Sequence, residues 1–207
     1  MAAGDSPQRS KAKRAKPATR ALRFNKAPLT TSHIELLTDG DDRVFRELVH
    51  AFFAFQARHE AIRDGHAGYI GLAGVQYTLL IAVGHLEVEG EVTSSTLCDH
   101  LRVSSAFIAV EIAKLVERGL VTKARDPHDA RRQLLRTTPA GYALLAKLAP
   151  LQTQVNNVEF GRLTRKDFRD LHRIMNLLIE NCDAALALQR LLEQPGASDL
   201  RLEETLA

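Results

Sequence analysis

Residues 124 to 139 read ARDPHDARRQLLRTTP. Arg125, Arg131, Arg132 and Arg136 crowd into this stretch, with Asp129 between them. Two short strand-like runs, LVTKA (120–124) and QLLRTT (133–138), bracket it as a hairpin, so the arginines sit on a projecting turn with no core to serve. Their chemistry is charge neutralisation: a guanidinium donates in a planar fork that matches phosphate oxygens. Bond-making chemistry has no comparable support. GYIGLAG (68–74) lacks the strand-loop-helix setting of a dinucleotide fingerprint, there is no phosphate loop, and neither a Ser/His/Asp set nor paired carboxylates are suggested by spacing. DGDD (39–42) is more economically a helix-capping segment than a metal site, and the eight histidines do not fall at ligand spacing. The expectation is a protein that binds rather than an enzyme, without metal or cofactor.

The elements that hold the hairpin follow from caps and periodicity. The chain of 207 residues is 45% hydrophobic, poor in aromatics and without tryptophan, and it has few β-rich runs. A mainly α fold with a small β-hairpin is predicted. A helix over 42–63 carries Val44, Phe45, Leu48, Val49, Phe52, Phe53 and Phe55 on a stripe wide enough for burial on more than one side. A glycine-rich break (64–74) precedes a second helix over 75–87. Ser94 or Ser95 caps a short helix ending near Leu101, and Ser104 caps a longer one to Arg118, closed by Gly119. Ile108, Ile112 and Leu115 share one face of that helix; Ala106, Ala109, Val110, Ala113 and Lys114 point elsewhere. Thr138-Pro139 starts the next helix, interrupted or bent at Pro150. Thr164 caps the last one, whose apolar side includes Phe168, Leu171, Ile174, Met175, Leu178, Cys182, Leu186 and Leu192. Helix, turn, helix, strand, turn, strand is the order of a winged helix-turn-helix. The first and last helices carry more apolar surface than such a module covers, and a second copy of the chain would bury it.

The net charge of +3 conceals an asymmetry. Eight cations from Arg9 to Lys26 face Asp5 alone, so that stretch is +7 and the rest of the chain −4. Residues 1–40 are expected to form a basic, disordered arm attracted to phosphate or simply solvated, and 195–207 a tail. Cys98 and Cys182 suit neither a disulfide framework nor a zinc module. No apolar run reaches a membrane span, and a soluble, cytoplasmic, nucleoid-associated protein with no membrane partner is expected.

LAGVQYTLL (72–80), STLCDHLRVSSAFIAVEIAKLVERGLV (95–121) and RDPHDARRQLLRTTPAG (125–141), taken together, resemble the MarR (multiple antibiotic resistance regulator) family of bacterial transcription factors, over roughly residues 42–192. Asp129, Arg131, Thr138 and Gly141 fit the family's wing pattern. The resemblance implies a dimerisation helix and linker (41–70), a DNA-binding winged helix-turn-helix (71–138) and C-terminal dimerisation helices (139–194). It also implies a homodimer on a pseudo-palindromic double-stranded DNA operator, usually repressing until a small molecule releases it. Arg131 is then expected in the minor groove, Asp129 fixing the arginine or the wing, and Arg125, Arg132 and Arg136 on phosphates.

The reading helix departs from the family in presenting Ser105, Ala106, Ala109 and Val110, where a long polar residue often stands at the Val110 position. Ser104 or Ser105 is left for phosphate or base, Ala106, Ala109 or Val110 for thymine methyl, and Lys114 for phosphate. Glu111 either accepts from cytosine or pairs with a nearby cation such as Arg118. Family pockets lie between the dimerisation helices and the reading head, where Phe52, His59, Tyr69, Gln76 and Tyr77 could line a site for an aromatic acid or its thioester. Phe52 and Phe53 read more readily as plain core, and His59 and Arg58 equally as a solvated face. Alternatives are an architectural protein indifferent to sequence, or a regulator sensing redox through Cys98 or Cys182 or sensing metal, although both cysteines read as small core residues.

Overall fold

Ile108, Ile112 and Leu115, aligned by their three- and four-residue spacing, are all fully buried. They close a core with Leu79, Leu80, Val83, Leu97, Val121, Leu135 and Leu148. The computed structural model describes residues 28–129 and 131–194, so most of the basic arm and the 195–207 tail lie outside the described residues. The chain divides into two compact units, one ending at Ala57 and the other starting at Arg58.

In the first unit, Asp39 (φ 53°) and Gly40 (φ 70°) turn the chain between Thr38 and Asp41. Asp41 Oδ1 accepts the Arg43 amide at 2.8 Å, and buried Asp42 accepts from the Thr30 amide at 2.6 Å and hydroxyl at 2.7 Å. The Thr30 amide first, and the Arg46 guanidinium with it, hold the Asp42 carboxyl at about 2. The acidic run therefore caps α1 (Arg43–Tyr69), as its composition suggested. Residues 28–40, assigned by composition to the unfolded arm, instead carry a short 3-10 turn at Ile34–Leu36 and reach Arg46 through the Pro28 carbonyl.

In the second unit, α1 continues past Gly65 and Gly68 to Tyr69, six residues beyond its predicted end at residue 63. Burial of His66 and Ala67 explains the extension, since tertiary packing outweighs the modest helix penalty of glycine. The turn at Gly71 (φ 71°) leads into α2 (Gly74–Glu89). There follow β1 (Val92–Thr93), α3 (Ser94–Leu101), α4 (Ser105–Glu117), β2 (Val121–Arg125) and β3 (Gln133–Thr137). The predicted hairpin is thus part of a three-stranded antiparallel sheet ordered β1-β3-β2, with Val92 opposite Leu135 and Val121 opposite Thr137. Thr93, not a serine, caps α3, because its hydroxyl accepts the Thr96 amide while Thr96 reaches back. Two residues of β1 between polar neighbours give no readable alternation, which is why the strand is silent in sequence.

α5 (Pro139–Phe160) runs through Pro150 without a break; both Pro150 and Ala146, whose carbonyl loses its donor, are exposed. α6 (Arg165–Leu192) is capped by Thr164 and buries none of its residues, and Cys182 is exposed on it. The wide stripe of α1 is likewise uncovered: Val44, Leu48, Phe52, Phe53 and Phe55 are exposed rather than core. Among the described residues, no single helix is long and apolar enough to cross a membrane.

One joint locks the second unit. The Thr138 hydroxyl accepts the Gly141 amide at 3.0 Å and donates to the Gly119 carbonyl at 2.7 Å, while the Thr138 amide donates to the Leu120 carbonyl at 3.0 Å. A Cβ on Gly141 would lie 2.4 Å from that Leu120 oxygen. Gly141→Ala is expected to destabilise the protein by roughly 1–3 kcal/mol, read as a lowered denaturation midpoint.

Candidate nucleic-acid interface

The two helices α3 and α4 meet at a three-residue turn in which Arg102 adopts a left-handed conformation (φ 55°). Ser104 caps α4, its Oγ accepting the Phe107 amide at 3.3 Å. At the far end Gly119 (φ 69°) closes the helix: its amide meets the Val116 carbonyl and the Leu120 amide the Leu115 carbonyl, each at 2.9 Å. With the core face filled, Ser105, Ala106, Ala109, Val110 and Lys114 are all exposed, as their spacing requires. Phe107 is exposed as well, a large apolar side chain that attention to the polar positions passed over.

The charges on this helix are arranged more tightly than composition suggested. Glu111 is buried and pairs with Lys114 at 2.6 Å, so its partner is Lys114 and not Arg118. Arg118 instead donates to the Gly71 carbonyl at 2.9 Å, bracing α4 against the turn between α1 and α2.

The wing is built around an aspartate that sequence reading missed. Asp126 is buried at the hairpin base, accepts the His128 amide at 2.8 Å and pairs with Arg132 at 3.0 Å. The His128 amide first, then the Asp129 amide and the Arg132 charge, hold its carboxyl below the usual range. Arg132 also reaches Glu91 at 3.2 Å, so it braces the wing rather than standing free for phosphate. Asp129 Oδ1 accepts the Arg131 backbone amide at 3.0 Å, fixing the turn and not the guanidinium. Arg125, Arg131 and Arg136 are exposed, and among the described residues none of the three makes an ion pair. The signal for Asp126 was the Asp-Pro-x-Asp turn itself, where an aspartate precedes proline and two backbone amides follow.

The proposed effector residues are not one cluster. Phe52 belongs to the first unit and Tyr69 is exposed. Gln76 accepts the Ala73 amide at the start of α2. Tyr77 is buried, its hydroxyl held by Gln152 at 3.0 Å and raised in pKa by that burial, and its ring meets His66 edge-on. His59 pairs with Glu159 of α5 at 2.9 Å. His66 Nε2 and Glu159 Oε2 are buried without a hydrogen-bond partner. His66 lies two turns from His59 on the same side of α1 and was missed because the helix was expected to end first. Among the described residues, no three His, Cys, Asp or Glu side chains are placed to hold a metal ion.

A model of the MarR family matches residues 70–132, the segment holding α2, both helices of the turn, β2 and the wing turn up to the start of β3. That segment is similar to the MarR family. The chain is 30% identical over 106 residues to the HTH-type transcriptional repressor NicR of Pseudomonas putida, an alignment spanning 51% of this chain and 65% of the repressor. Its fold is similar to that of Bordetella bronchiseptica BpsR, solved in work on regulation of its DNA binding by 6-hydroxynicotinic acid (23% identity, TM-score 0.52, 64% of this chain and 98% of that one). A MarR mutant from E. coli complexed with operator DNA is also similar (16% identity, TM-score 0.54, 64% and 93%).

Within this MarR fold the wing turn depends on an ionised Asp126. A depressed carboxyl contributes order that is present at neutral pH and lost as pH falls through its lowered pKa, below the ordinary aspartate value of about 3.9. Asp126→Ala should produce the same loss at neutral pH. Amide exchange at His128 should accelerate in both cases while α4 stays protected.

Proposed function

We propose that the protein is a homodimeric transcriptional regulator that binds a pseudo-palindromic operator and represses until a small aromatic acid releases it. The observation that carries this reading is an exposed helix α4 beside a wing whose Arg125, Arg131 and Arg136 are free to meet phosphate or a minor groove. Ser105, Ala106, Ala109 and Val110 would face base edges, with Ser104 and Lys114 nearer the backbone and Asp129 and Arg132 shaping the wing. No bond-making step is involved, which accords with a relative that is a repressor. A cytoplasmic place on the nucleoid follows from this role.

A second copy of the chain is the occupant proposed for the bare helices. Phe168, Leu171, Met175, Leu178 and Cys182 recur at three- and four-residue steps along α6, which buries nothing in its own chain. Residues 41–70 and 139–194 would form the dimer and 71–138 the reading head. For the effector, His66 Nε2, buried without a hydrogen-bond partner and edge-on to Tyr77, suits a planar ring bearing a carboxylate. BpsR suggests 6-hydroxynicotinic acid as the first molecule to titrate.

The scarcity of hydrogen-bonding groups on α4 favours one competing reading, an architectural protein indifferent to sequence. The two differ in a selection of bound genomic fragments at moderate salt: a regulator enriches one inverted repeat, an architectural protein none. On that repeat Arg131→Ala should weaken binding, and loss of a phosphate contact at Arg125 should flatten the log-log salt slope by about 1. Leu171→Glu should shift the protein towards monomer in sedimentation and reduce binding to the full repeat.

A further inference from the structure

We infer that α4 reads thymine C5-methyl groups in the major groove, with Phe107 and Val110 as the residues that determine specificity. The inference rests on the DNA-binding reading above and names the base chemistry taken at that same face. Phe107 is 41% exposed and Val110 56% exposed. Three residues apart, they form one ridge with Lys114, and exposed Ala106, Ala109 and Ala113 leave lower ground beside it.

The polar groups that would make a hydrogen-bonding code are already engaged. Glu111 is buried and holds the Lys114 ammonium at 2.6 Å, and the Ser104 hydroxyl accepts the Phe107 amide at 3.3 Å. In the first turn the Ser105 hydroxyl and the O–H of Ser104 remain able to donate. The opposite face of α4 is filled by Ile108, Ile112 and Leu115, so the ridge has no place in its own core.

Charge selects the occupant. The neighbouring wing presents Arg125, Arg131 and Arg136, which favour a polyanion over an apolar peptide. In the major groove of DNA the apolar feature is the thymine methyl; guanine, cytosine and adenine offer donors and acceptors there. Phe107 and Val110 would strip water from such groups at any base pair without replacing it, and only thymine supplies a methyl contact that offsets the cost, so the ridge disfavours G·C at the steps it covers.

The test compares two random-sequence duplex libraries, one made with thymine and one with deoxyuridine, each selected by the full-length protein. Uracil removes the methyl and leaves phosphates, base pairing and the minor-groove edge intact, so the wing meets the same surface. The thymine library should yield an inverted repeat with thymine at fixed positions. A synthetic duplex of that repeat should bind about fourfold more weakly for each contacted thymine replaced by uracil. Phe107→Ala and Val110→Ala, both at exposed positions, should bring the thymine-to-uracil affinity ratio towards one. Equal affinity for the thymine and uracil duplexes would overturn the inference and leave the specific regulator standing. Absence of enrichment from the thymine library would overturn both.

Discussion

The organisation of the reading head depends on the hydroxyl of Thr138. It accepts the Gly141 amide, so α5 starts there, and it donates to the Gly119 carbonyl, so the end of α4 is held at the same point. The adjacent backbone bond to the Leu120 carbonyl binds the exit of the wing into the joint. Helix α4, sheet and α5 therefore share one anchor, and Gly141 is required because the Leu120 oxygen occupies the space of a Cβ. A second tie comes from Glu87 of α2, which accepts the Thr137 amide at 3.2 Å and the Tyr142 hydroxyl. Orientation of the reading helix is thus coupled to the helices on either side of the head by short, directional bonds rather than by apolar contact alone.

Electrostatics divides the cations into two kinds. Arg118, Arg132 and Lys114 are committed to the protein through the Gly71 carbonyl, Asp126 with Glu91, and Glu111. Arg125, Arg131 and Arg136 are exposed and make no ion pair among the described residues. Pairing within the chain consumes attraction that would otherwise go to phosphate, so a count of basic residues overstates the binding surface. The wing keeps its shape through an inward carboxylate and presents its remaining guanidinium groups outward.

Apolar surface tells a similar story at larger scale. The core of the second unit is filled, yet α6 buries nothing and α1 leaves three phenylalanines exposed. Hydrophobic groups at regular helical spacing without a cover among the described residues are what the proposed second copy would bury. α4 differs, because its exposed Phe107 and Val110 lie beside cations, and that setting is why a base and not a helix is the occupant argued for it.

Local rules written in the sequence determined much of this protein. Ser104 and Thr164 cap the helices they precede, Gly119 closes α4, Thr138-Pro139 opens α5, and the spacing of Ile108, Ile112 and Leu115 separates core face from outer face. Each depends on a few neighbouring residues and can be read without knowing the rest. Tertiary structure decided the remainder. Whether α1 ended at its glycines turned on the burial of His66 and Ala67, and β1 exists because β3 lies beside it. Asp126 took Arg132 from the phosphate set, and Tyr77 became a buried partner of Gln152, 75 residues away. Those outcomes are competitions between groups distant in sequence, and a local pattern holds no information about which competitor is near.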